Sequence, residues 1–165
     1  MQPISALCKP RESIFVDSDR DDVLDLSNLI DNHIDVDKFF EETFETSGMK
    51  VLFETAFKRF EGKSPTGVIK LTQAMGGGKT HCMLALALLA ENPKWRKKLL
   101  GNHFEDIGTI KVVAFTGRET DAAFGIWGSI AEQLGKKELF SAYYSPLQAP
   151  GQGAWINLLK DQNIL

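Results

Sequence analysis

Cysteine is scarce in this chain: Cys8 and Cys82 stand far apart and form no CxxC. That excludes a disulfide framework and the usual thiolate metal motifs, and both residues are read as reduced and structural. Long apolar runs are missing too. The longest, Cys82 to Ala90, falls well short of the roughly 20 residues that span a bilayer, so no membrane partner is expected. No charged-then-apolar signal segment opens the sequence, which makes the cytoplasm the expected location. There is no internal repeat and no low-complexity tract. His33 and His103 are isolated and lack metal-ligand spacing, and Ser141, Tyr143 and Tyr144 sit in no nucleophile pattern.

Nor is there a large excess of charge. The net charge is −3 over 165 residues, with 43% hydrophobic and 25% charged side chains, as in an ordinary soluble domain. The balance is uneven along the chain. Residues 1–62 carry 14 acidic and 7 basic side chains, and residues 63–165 carry 8 acidic and 12 basic. The acidic half speaks against nucleic-acid binding through that part. The basic half would tolerate a polyanion such as ATP, although two solvated faces of opposite sign account for the same pattern.

One short segment carries chemistry: Gln73-Ala74-Met75-Gly76-Gly77-Gly78-Lys79-Thr80. It comes after the apolar run Val68 to Leu71 and opens another, His81 to Ala90. Glycines followed by Lys and a hydroxyl, set between a strand and a helix, hold a nucleoside triphosphate. Glycine lets backbone N–H groups turn inward around the β-phosphate. Lys79 would place its ammonium on the β- and γ-phosphate oxygens and is the candidate catalytic residue. Thr80 would offer its hydroxyl to Mg²⁺, and the positive end of the following helix dipole would face the anion. Met75, Gly76, Gly77 and Gly78 form the cradle, and the backbone N–H of His81 is within reach of an α-phosphate. Gln73 stands where the full pattern has its first glycine; the end that touches phosphate is intact.

Around this loop the sequence predicts an α/β fold: a P-loop NTPase-like parallel sheet flanked by helices, preceded by a mostly helical N-terminal region at 1–62, with the nucleotide-binding core at 63–165. Val23, Leu26, Leu29 and Ile30 suit a short helix. Asp35 is a candidate N-cap for the next. Met49, Leu52, Phe53, Ala56, Phe57 and Phe60 line one face of a helix over 47–61, capped by Thr46 or Ser47 and stopped at Gly62. A strand is expected at Val68–Thr72, a buried helix at Lys79–Ala90, and a short basic helix at Lys94–Leu100 with Trp95 on its apolar side and its lysines solvated. A second strand is expected at Ile110–Phe115, then a helix begun by Asp121 with Phe124, Trp127, Ile130, Ala131 and Leu134 on one face, and a last helix at Ala154–Lys160. Arg118, just past the second strand, could meet phosphate or pair with Glu119 or Asp121.

Phosphoryl transfer also needs a carboxylate at the end of another strand to hold Mg²⁺ through water. No apolar run after the loop ends in Asp or Asp-Glu. Ile14-Phe15-Val16-Asp17 has the look but would demand an unusual strand order. The expectation is that Asn163-Ile164-Leu165 begins the missing strand, so that the chain is an incomplete domain and hydrolysis awaits a downstream acidic motif.

These residues resemble a known family. Phe39-Phe40 with Thr43, Thr46-Ser47-Gly48-Met49-Lys50, Leu71 through His81, and Ile126-Trp127-Gly128 with Glu132-Gln133-Leu134-Gly135 are similar to the N-terminal part of large prokaryotic AAA-like P-loop ATPases. That family was long catalogued as a domain of unknown function and is often encoded with anti-phage defence systems. The resemblance covers roughly residues 35–165 and counts Gln73 and His81 as part of the pattern. It implies ATP and Mg²⁺ as ligands, a hydrolytic Asp-Glu shortly after Leu165, protein partners or a homo-oligomer, and nucleic acid only through the full-length parent or its assembly. A non-hydrolysing nucleotide-binding interaction module is the competing expectation, and a small-molecule kinase, lacking an acceptor site or lid, ranks last.

Overall fold

A computed structural model describes residues 3, 6, 8, 26, 29, 34–72, 74–116 and 125–165. Helix α1 (Val36–Glu42) begins at Asp35, whose carboxylate accepts from Lys38 N–H at 3.1 Å, satisfying one of the orphan amides of a helix start. Helix α2 (Ser47–Phe60) starts the same way, with Thr46 Oγ1 accepting from Met49 N–H at 3.2 Å. It ends in a Schellman turn: Lys63 N–H donates to Lys58 O at 2.9 Å and Gly62 N–H to Arg59 O at 3.0 Å. The turn needs a left-handed residue after the helix, and Gly62 supplies φ +73°.

Helices α3 (Lys79–Glu91) and α4 (Pro93–Leu100) come next, joined at Asn92. Asn92 Nδ2 donates to Leu88 O at 2.8 Å, and Pro93 takes the first position of α4, where its missing N–H costs nothing. Seven residues of α3, Leu84 to Ala90, are buried. All of these but Ala87 form one core with Phe39 and Phe40 of α1, the Met49–Phe57 face of α2, and Trp95 and Leu100 of α4. Each large apolar side chain fully buried there contributes about 1.5–3 kcal/mol. Helices on both sides of the Gly62 turn thus share a single core, α2 packing with α3.

A 3₁₀ segment, Asn102–Ile107, leads to β1 (Ile110–Lys111). Then come helix α5 (Gly125–Gln133), a second 3₁₀ segment (Lys137–Tyr143), helix α6 (Gln152–Leu159) and β2 (Asn163–Ile164). Ala131, Leu134, Phe140 and Leu158 make a second, smaller core. β1 and β2 pair in parallel, Ile110 opposite Asn163 and Lys111 opposite Ile164. The pairing runs on past the assigned strands: Leu165 N–H donates to Lys111 O at 2.9 Å and Val113 N–H to Leu165 O at 3.0 Å. The start of a strand expected at Asn163-Ile164-Leu165 is therefore present.

The rest of the expected sheet is not. The molecule is helix-rich, and its only sheet among the described residues has two strands. Val68–Thr72, expected as a strand, is neither helix nor strand, and Val68 is 86% exposed. A β-branched run becomes a strand only when a neighbouring strand takes up its backbone groups, and among the described residues none does. Of the strand expected over Ile110–Phe115, the stretch from Ile110 to Val113 is paired. A cleft of about 650 Å³ is lined by Thr66, Gly67 and Ile69, by residues 162–165, and by Ala56, Phe60 and Leu86. Asn163 and Leu165 direct their backbone groups to β1, so those of Ile164 point to the opposite edge. The helix expected near residues 22–30 and the Asp121 cap lie outside the described residues, apart from a bond from Leu29 N–H to Leu26 O at 3.2 Å.

Candidate functional site: a glycine loop at the start of a buried helix

The loop before α3 is built on two left-handed glycines. Gly76 has φ +77° and Gly78, the residue that starts α3, has φ +73° and ψ +19°. An L side chain at such angles costs roughly 1–2 kcal/mol, so two of the three glycines expected in the loop, Gly76 and Gly78, adopt torsions that only glycine takes up freely, and Gly77 does not. A Cβ placed on either would meet nothing within 4 Å. The loop thus stands in open space, with Met75 fully exposed at its tip.

No side chain caps α3. The first i→i−4 bond runs from Cys82 N–H to Gly78 O at 2.9 Å, so the amides of Gly78, Thr80 and His81 precede the helical ladder and the dipole's positive end is open to an anion. One amide of the expected cradle is committed elsewhere: Gly77 N–H donates to Ala74 O at 3.1 Å. Lys79 Nζ also donates to Ala74 O, at 3.0 Å. The ammonium thus lies back across the loop it belongs to. It carries three hydrogens, so this bond does not exhaust its capacity for phosphate oxygens. Thr80 is exposed. Gln73 and Arg118 lie outside the described residues. The donor set fits a phosphate chain with Mg²⁺: open space over two glycines, an uncapped helix start, one lysine and one adjacent hydroxyl.

His81, next in line, is tied down. Its Nε2 lies 3.1 Å from Thr43 Oγ1, and its ring stacks on Phe39 at 4.7 Å and 23°. Burial lowers its pKa from the ordinary 6.5. The sequence marked His81 for its backbone N–H and Thr43 only as part of a resemblance; their contact spans 38 positions, and no local pattern announces it. Trp95 is likewise internal: its ring packs on Phe40 at 5.0 Å and its indole N–H donates to Asp37, which takes it out of reach of a nucleobase.

The lysines of α4 are exposed as expected, whereas Arg96, for which the sequence made no separate expectation, is internal. It is 1% exposed, donates from its two terminal nitrogens to Ala90 O and Gly108 O at 3.2 Å each, and lies over the Phe57 ring at 5.4 Å. The available signal was its i, i+4 spacing to Leu100, also buried. The cleft beside β2 contains no residue of the glycine loop. Among the described residues no group of His, Cys, Asp and Glu is placed to hold a metal, and no helix is long and apolar enough to cross a membrane.

No curated protein and no solved structure matches this sequence. A family model does: the DUF499 N-terminal domain matches residues 20–110, a stretch that contains α1 through α4 and the whole glycine loop. The chain belongs to the DUF499 family.

Proposed function

We propose that this chain binds a nucleoside triphosphate, ATP with Mg²⁺, through Gln73–Thr80. On this reading it is the N-terminal portion of an AAA-like P-loop ATPase that works in a larger assembly, of the kind encoded with anti-phage defence systems. The observation that carries the reading is the pair of positive-φ glycines, Gly76 and Gly78, set directly before Lys79 and Thr80 at the uncapped start of a buried helix. Met75 to Gly78 would wrap the β-phosphate, Lys79 would neutralise the β- and γ-phosphate oxygens, Thr80 would hold Mg²⁺, and the His81 N–H would face the α-phosphate. The metal would supply charge neutralisation on the phosphate chain.

The second part of the proposal draws on the cleft. Residues 162–165 and, from the strandless stretch after the Gly62 turn, Thr66, Gly67 and Ile69 line one space of about 650 Å³, which supports a place for this chain in a larger sheet or beside a protein partner. The hydrolytic carboxylate is assigned to that larger assembly.

Titrating the chain with a fluorescent ATP analogue and Mg²⁺ tests the binding claim, and phosphate release measured on the same sample tests turnover. Saturable binding with little release is the expected result. Turnover by the 165-residue chain alone would overturn the assignment of the carboxylate to another part. Absence of binding would overturn the reading of the loop.

A further inference from the structure

Helix α1 grips the rest of the core at two places. Phe40 and Asp37 hold Trp95 of α4, whereas Phe39 and Thr43 hold His81. The second grip falls on the first turn of α3, one residue beyond Thr80. Its hydrogen bonding has a definite direction. The Thr43 hydroxyl has one hydrogen, and it is donated to Phe39 O at 2.7 Å; its oxygen therefore accepts from His81 Nε2–H at 3.1 Å. Stacking on Phe39 fixes the plane of the ring, and the bond to Thr43 fixes its rotation within that plane. A helical side chain held at both its face and its edge leaves its own backbone little freedom to turn. The backbone in question carries the amides that open α3.

We propose that His81 is a positioning residue, which, resting on the phosphate-loop reading, couples α1 to nucleotide binding by fixing the direction of the amides at Gly78–His81. The coupling is reciprocal: nucleotide in the loop holds α1 against α3 by the same factor by which a docked α1 favours nucleotide.

The test compares Thr43→Val, which removes the acceptor at nearly constant shape, with Thr43→Ser, which keeps it. Two readouts are taken on the full chain. The first is hydrogen exchange at the Cys82 amide, the first bond of the α3 ladder, without nucleotide. The second is the Kd for Mg-ATP. Thr43→Val should speed Cys82 exchange and weaken Mg-ATP about three- to tenfold, the range of one net hydrogen bond, and Thr43→Ser should restore both. A Thr43→Val protein that melts lower but keeps wild-type Cys82 exchange and wild-type Kd would overturn the proposal and leave Thr43 a packing residue. If wild-type protein binds no Mg-ATP while Cys82 exchange still tracks the Val/Ser pattern, the nucleotide reading falls and the positioning of the helix start stands.

Discussion

At Gly78 the backbone enters α3 with φ +73°, and the space around a Cβ there is empty. The need for glycine at this position is thus conformational and not steric. Gly78→Ala should destabilise the fold by about 1–2 kcal/mol through the left-handed torsion alone, and Gly78→Asn should cost less because Asn tolerates that region; urea midpoints of the three proteins decide it. His81 gives a prediction of a different kind. Its pKa is lowered from 6.5 by burial, so the unfolded chain binds a proton in a window where the folded chain does not. Stability therefore rises with pH through that window and is lost as pH falls below about 6.5. Between about pH 7.5 and pH 5.5 the wild type should lose more stability than His81→Gln, because the two proteins share every other titrating group and differ only in the His81 proton; equal losses would remove His81 from the balance. The left-handed turns at Gly76 and Gly78 were legible in the sequence because glycine's torsional freedom is a local property. The Thr43–His81 bond was not, since it is made by two elements that meet only after folding.

Helices were the legible elements. Asp35 and Thr46 cap as their side-chain chemistry dictates, and Gly62 stops α2 at the expected place. Gly135, with φ +68°, closes a second Schellman turn: its N–H donates to Glu132 O at 2.9 Å and that of Lys136 to Ala131 O at 2.8 Å. Strands were less legible, because pairing and not propensity decides them. Val68–Thr72 has strand composition and, among the described residues, no partner strand. Ala114, past the end of β1, finds its partner in a side chain: Gln133 Oε1 accepts from its N–H at 3.0 Å and Gln133 Nε2 donates to its C=O at 2.8 Å. The two 3₁₀ segments have no strong periodic signature, and the sequence did not suggest them. Arg96 is the side chain on which α3, α4 and the Gly108 turn converge. Arg96→Ala should cost about 3 kcal/mol or more, from lost packing and two unsatisfied carbonyls. Arg96→Lys should recover less than half, since one ammonium cannot reach both carbonyls of the fork. Chemical unfolding measures both variants, and a Lys variant as stable as wild type would contradict the fork.

At the scale of the whole molecule, two cores meet across a two-stranded sheet, with Ile110 in the larger core and Val113 and Ile164 packed on the smaller. The glycine loop projects from the larger one, and the cleft opens elsewhere, beside β2. The separation suits a loop that binds phosphate and a cleft that meets further protein. Ligand binding then has a global consequence: Mg-ATP at about 100 times its Kd should stabilise the fold by roughly 2.7 kcal/mol, visible as a raised melting temperature. The most direct test is calorimetric titration of Mg-ATP into the 165-residue chain and into its Lys79→Ala variant. The account predicts a single saturable site in the wild type, weakened by about 1.5–3 kcal/mol, roughly ten- to 150-fold in Kd, when the lysine is removed. No binding heat in the wild type, or an identical Kd in the variant, would contradict it.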